Sequence, residues 1–206
     1  HQHQIMHRDL NPSNIIWNPV ADLIKIIDFG IVTALSHEHP AVFNPKMLEG
    51  TLAYMSPEQT GRMNREIDYR TDFYSLGVTF YEMLLGFLPF QTTDTMELIH
   101  CHLAQTPKAP HEINHDIPQP ISAIVMKLLA KMAEDRYQSA RGLESDLQKC
   151  YDQLKFAGQI QFVAIGQDDV SDRFQIPQKL YGRAEPYQAL LEAFERVSQG
   201  HTELIV

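Results

Sequence analysis

Residues 75–90, SLGVTFYEMLLGFLPF, are the most apolar window of the chain and the strongest constraint on what it can fold into. The window is too short to span a bilayer and carries Glu82, so no transmembrane helix is expected. Phe73, Leu76, Phe80, Met83, Leu84 and Phe87 recur at three- and four-residue steps, and Gly86 and Pro89 close the run. That pattern predicts a helix of the hydrophobic core. Apolar faces at the same spacing return in 94–104, in 121–132 (Ile121, Ile124, Val125, Leu128, Leu129, Met132) and in 139–155 (Leu143, Leu147, Leu154). From residue 69 to about 155 the chain is expected to be mostly α.

The first part has a shorter period. NIIW (14–17) and LIKI (23–26) are brief apolar runs on either side of the turn-prone NPVADL, which predicts a small β-hairpin. Residues 31–50 carry two prolines and no sustained period, and read as a loop. Past residue 156, FAGQIQFVAIGQDDVSDRFQIPQ has no helical face and reads as a linker or a small extended segment. PYQALLEAFERV (186–197) then opens a fresh amphipathic helix, with Leu190, Leu191, Phe194 and Val197 on one side. The expected organisation is a first domain over 1–155, a linker over 156–178 and the start of a second domain over 179–206. The chain begins on HQHQIMHRDL and stops on ELIV, so both ends are expected to cut through structure.

Composition removes several classes of function. The chain has 206 residues and a net charge of −9, with no basic stripe, which argues against nucleic acid as a partner. Cys101 and Cys150 make neither a disulfide framework nor a zinc spacing, so a reducing, cytoplasmic setting is expected. His1, His3, His7, HEH (37–39) and HCH (100–102) lack a partner cluster and read as solvated or core histidines.

The chemistry gathers near the amino terminus. HRDLNPSN places Asp9 and Asn14 in one loop, and the hairpin is expected to return Asp28 beside them. Two carboxylates and an amide oxygen suit a hard cation such as Mg²⁺, which usually shares its shell with substrate phosphates. The implied task is phosphoryl transfer, in which the protein positions groups and neutralises charge. A spare carboxylate can accept the proton of an attacking hydroxyl.

Five motifs in order carry a resemblance: His7-Arg8-Asp9-Leu10 through Asn14, Asp28-Phe29-Gly30, Gly50-Thr51, Ser56-Pro57-Glu58, and DFYSLG (72–77). Together they resemble a protein kinase over residues 1–155. The fold this implies is α+β and protein-kinase-like, a mainly α-helical C-terminal lobe with a small hairpin and without the N-terminal lobe. The resemblance makes Asp9 the catalytic base, and Asn14 and Asp28 the magnesium ligands, with ATP as phosphate donor and a protein as acceptor. His7 packs the catalytic loop against the DFG turn. Thr51 matches the threonine of kinases that act on serine and threonine. Glu58 is expected to pair with Arg136, Asp72 to anchor the catalytic-loop backbone, and Arg8 to meet a phosphate or a carboxylate such as Glu49.

Asn11 departs from that pattern. Serine/threonine kinases usually carry lysine there, facing the transferring phosphate, and an amide brings no charge. A catalytically impaired pseudokinase or scaffold is therefore one rival reading. A small-molecule phosphotransferase shares the His-x-Asp…Asn loop, but that class lacks the GT…SPE and DxxSLG segments. Finally, LYGRAEPYQALLEAFERVSQG (180–200) resembles the opening of an AAA-type ATPase module, with ELIV as its first strand. Kinase, linker and such a module in one chain resemble large bacterial signalling proteins that end in a histidine kinase.

Overall fold

The computed structural model describes residues 5–28, 33–34, 52–63 and 65–170. Short strand β1 (Ile5–Met6) pairs antiparallel with β4 (Thr33–Ala34), and β2 (Ile15–Asn18) pairs antiparallel with β3 (Leu23–Ile26). In the second pair Ile15 faces Ile26 and Asn18 faces Leu23, the hairpin expected from NIIW and LIKI. The tight end at 19–22 is tied by Asn18 Oδ1, which accepts from the peptide N–H of Val20 and Ala21. Five helices follow among the described residues: α1 (Arg70–Leu85), α2 (Thr95–Ala104), α3 (Pro110–Ile113), α4 (Gln119–Leu128) and α5 (Ala140–Ala157). None is long and apolar enough to cross a membrane.

Helix α1 is the centre of the body. Its first three turns are buried on nearly every side, Thr71, Ser75 and Thr79 included, so it shows no clean split into an apolar and a polar face. Polar side chains survive there because each has a partner. Ser75 Oγ donates to the carbonyl of Tyr54, and Thr79 Oγ1 to that of Ser75. The helix ends at Gly86, in the left-handed conformation at φ 80°, as Gly86 and Pro89 suggest. Periodicity misplaces Met83 and Phe87, which are 72% and 38% exposed, because only the early turns are enclosed.

Two clusters pack around α1. Phe73 joins Met6, Tyr69, Ile124, Leu128, Tyr137 and Leu143 on one side, and Tyr74, Val78 and Tyr81 join Val125 and Leu129 on the other. Helices α1 and α4 approach so closely at Gly77 that a Cβ there would lie 2.7 Å from the Cβ of Leu128. Helix α5 starts at Ser139, whose hydroxyl accepts from the N–H of Gly142. It buries Leu143 and Cys150, while Leu154, expected on its apolar face, is 52% exposed.

The segment after α5, expected as a linker or small extended segment, is extended and turned up to Val170 but held against the body. Val163 enters the core cluster. Asp146, buried in α5, accepts from the N–H of Gly166 and the hydroxyl of Tyr137. The Asp169 carboxylate accepts from the N–H groups of Gln138 and Ser139, just ahead of α5. The Asp169 carboxylate of QDD thus serves as a cap, while Asp168 stays exposed and pairs with Lys149 and Ser145 of α5. The ATPase-like stretch 180–200 lies outside the described residues.

Two expectations follow. Gly77→Ala gains helix propensity of about 1 kcal/mol, but the clash is with an atom next to the Leu128 backbone, which cannot swing away. Overpacking of about 1–3 kcal/mol should win, read as a lowered denaturant midpoint. Asp169→Ala leaves two peptide N–H groups unpaired and should cost about 1–3 kcal/mol, checked by thermal unfolding.

Candidate active site

The loop after β1 is held by a carboxylate far away in sequence. Asp72, in the first turn of α1, accepts from the peptide N–H of His7 (2.9 Å) and of Arg8 (2.8 Å). Burial raises its carboxyl above the usual aspartate range, against the pull of those two N–H groups. The bonds secure a costly conformation, since Arg8 has φ 64°, a region that non-glycine residues rarely occupy. The other side of that residue is also held: Gln59 Nε2 donates to the carbonyl of Arg8 at 2.9 Å.

Gln59 was not among the residues singled out from the motifs, although a signal existed. Ser56-x-x-Gln59 has the spacing of a capping box, and Gln59 Oε1 accepts from the N–H and the hydroxyl of Ser56. One side chain therefore joins the SPE turn to the HRD loop. His7 supplies a second tie, with Nε2 3.0 Å from the carbonyl of Ile27, next to Asp28.

Asp9, Asn11 and Asn14 come together. Asn11 Nδ2 donates to Asp9 Oδ1 (3.1 Å) and to the Asp9 carbonyl (3.2 Å). Asn14 Nδ2 donates to Asp9 Oδ2 (3.1 Å) and to the same carbonyl (2.8 Å). Each carboxylate oxygen thus receives one amide proton. Asn11 is itself fixed, because its Oδ1 caps the short turn Pro12–Asn14 by accepting from the N–H of Ser13 at 3.0 Å.

The carbonyl of Asn14 accepts from the N–H of Ile27 at 2.9 Å, so the end of the hairpin returns to the loop it left. Asp28 follows Ile27, exposed and at φ 60°. The Nδ2 of Asn14 is spent on Asp9, and among the described residues no donor meets its Oδ1. One amide oxygen and one carboxylate make a hard donor set of the kind Mg²⁺ takes up together with phosphates. These residues fit the cation the motifs imply. Thr51, Phe29, Gly30 and Glu49 lie outside the described residues.

Glu58 and Arg136 form a bidentate pair, Nη1 to Oε1 at 2.7 Å and Nη2 to Oε2 at 2.8 Å. Arg136 is fully buried, and its remaining protons go to the carbonyls of Arg70, Lys131 and Ala130. All five guanidinium donors are thereby used. Thr71 Oγ1 adds a bond to Glu58 Oε1 at 2.8 Å. Burial alone would raise the Glu58 carboxyl, but Arg136 and Thr71 outweigh it and hold it below its ordinary 4.5.

His102, from the HCH stretch, is a core residue. Its Nδ1 lies 2.9 Å from the hydroxyl of Tyr74, and burial and the nearby Lys131 push it down to about 4.

Glu58→Ala strands a buried guanidinium and should cost about 3–5 kcal/mol in chemical denaturation. Because the folded value of Glu58 is lowered, its contribution is complete above pH 4.5 and fades as pH falls through the folded value. Glu58→Gln should therefore flatten the loss of stability on acidification below pH 4.5.

Comparison with known proteins gives the family. Residues 1–149 match the protein kinase domain. The chain is 40% identical over 176 residues to hybrid signal transduction histidine kinase G of Dictyostelium discoideum, an alignment that takes in 76% of this chain and 5% of that protein. It is 37% identical over 147 residues to the serine/threonine-protein kinase PknB of Mycolicibacterium smegmatis and 36% identical over 147 residues to that of Mycobacterium leprae. Both alignments take in 71% of this chain and 23% of the relative. A loop pinned by Asp72, a carboxylate held by two amides, and a buried Glu58–Arg136 fork thus sit in a chain that belongs to the protein kinase domain family.

Proposed function

We propose that this chain is the C-terminal lobe of a protein serine/threonine kinase, which moves the γ-phosphate of ATP to a serine or threonine hydroxyl of a protein. One observation carries the reading: the Asp9 carboxylate is held between Asn11 and Asn14 in a loop whose backbone is pinned to α1. In that arrangement Asp9 accepts the proton of the attacking hydroxyl while the hydroxyl oxygen bonds to the γ-phosphorus and the bond to the β-phosphate oxygen breaks. Asn14 and Asp28 would hold Mg²⁺, which when bound supplies the positive field for the phosphates. Asp72, Gln59 and His7 keep the base and the metal ligands in register, and Glu58 and Arg136 keep the SPE turn in place. Thr51 is proposed to help align the base.

The wider context belongs to the same proposal. The similarity to serine/threonine-protein kinases supports the acceptor class, and that to a hybrid signal transduction histidine kinase supports a signalling role. A cytoplasmic setting, an N-terminal lobe outside this chain, and downstream ATPase and histidine-kinase modules complete it. Apolar side chains exposed on the hairpin, Trp17 and Ile24 among them, are surface that a further part of the domain would cover.

One observation favours the rival scaffold reading, namely Asn11 where lysine is usual. Labelled γ-phosphate transfer by the full-length protein to a serine/threonine protein substrate, beside Asp9→Asn, separates the two. The kinase reading expects the variant to lose at least about 100-fold. Equal, background-level signals from both proteins would leave the scaffold.

A further inference from the structure

We propose that Asn11 is a positioning residue for Asp9, so that this site aligns its base with a second amide where a lysine would bring charge. The inference rests on the kinase reading for its consequence in turnover, but on geometry for the contact itself.

Asn11 is 8% exposed, and both ends of its amide are engaged. Oδ1 accepts from the N–H of Ser13, and Nδ2 donates to Asp9. Lysine has three donors and no acceptor, so it cannot make the Ser13 bond. With Pro12 as the first residue of the turn there is no N–H at that position, and Ser13 carries the first peptide proton needing a cap. The sequence Asn-Pro-Ser-Asn thus builds a turn that only a side chain with both a donor and an acceptor can close while also reaching Asp9.

The second half of the argument is the pairing. The terminal torsion of an aspartate is broad, so a lone carboxylate samples many planes. Here Asn11 holds Oδ1 and Asn14 holds Oδ2, which selects one plane. Asn14 is also the residue whose Oδ1 is left for a cation. The Asn11 bond therefore orients the carboxylate through a residue that is not itself a proposed metal ligand.

Three substitutions in the full-length protein separate this role from a purely structural one. Asn11→Ser retains a good cap but loses the reach to Asp9. It should remain folded, with a melting temperature lowered by no more than a few degrees, and lose roughly 10- to 100-fold in kcat with KM for ATP unchanged. Asn11→Lys supplies charge without the cap and should not exceed wild-type kcat. Asn11→Asp keeps the acceptor but sets a like charge beside Asp9. It should lower the melting temperature by a few degrees, and by clearly less in an Asp9→Asn background, because the two sites are coupled.

Wild-type kcat in Asn11→Ser, or a raised kcat in Asn11→Lys, overturns the proposal. So does an Asn11→Asp shift that is the same in both backgrounds. If the wild-type protein transfers no more phosphate than Asp9→Asn, the kinase reading fails by itself. The melting-temperature cycle then decides the Asn11–Asp9 contact on its own.

Discussion

A carboxylate removed from water must find donors, and Asp72 finds them on a different part of the chain. Its two bonds, to the peptide N–H groups of His7 and Arg8, join the central helix to the HRD loop. Bonds to charged groups contribute about 1.5–3 kcal/mol each, and burial makes their loss dearer still. That is enough to hold Arg8 at positive φ, a conformation costing about 1–3 kcal/mol. With Arg8 so placed, its carbonyl meets Gln59 and the next residue, Asp9, meets the two asparagine amides. The site is thus an outgrowth of the first turn of α1.

A second buried charge pair works on the other side of the same helix. Arg136 donates to Glu58 and to the carbonyl of Arg70, the first residue of α1. The helix start is clasped from below by the guanidinium and from above by the HRD loop. Together they set the distance between the SPE turn and Asp9, which is a matter of rigid positioning rather than of added binding.

Much of this was legible in the sequence, and for identifiable reasons. The hairpin followed from two β-rich runs around a turn, and α1, α2, α4 and α5 from apolar steps of three and four. The exposure of Met83 and Leu154 was not, because periodicity marks a face without saying whether anything covers it. Helix α1 is enclosed early and open late, so one apolar stripe describes it poorly. Asp9, Asn14, Asp72, Glu58 and Arg136 were named from motifs, and the structure places them in contact with the partners described above. Gln59 lies just past the SPE motif and belongs to none of the kinase motifs, although its spacing from Ser56 is that of a capping box. In the motif Asn11 is only a missing charge. Its use as cap and donor depends on where Ser13 and Asp9 lie in space, which a motif cannot supply. The segment up to Val170 looked like a linker because acidic residues in an aperiodic stretch usually face water.

That last segment has a consequence for how the chain comes into being. The N-terminal end of α5 is closed by Asp169, whose bond to Gln138 spans 31 residues. A helix of this kind can form its internal bonds and its Ser139 cap as soon as it leaves the ribosome, yet the N–H groups of Gln138 and Ser139 just ahead of it stay open until residue 169 has also been synthesised. Closure of the joint ahead of the helix is thus delayed to the end of the segment that follows it. The last residues of the body are the ones that seal a joint made much earlier.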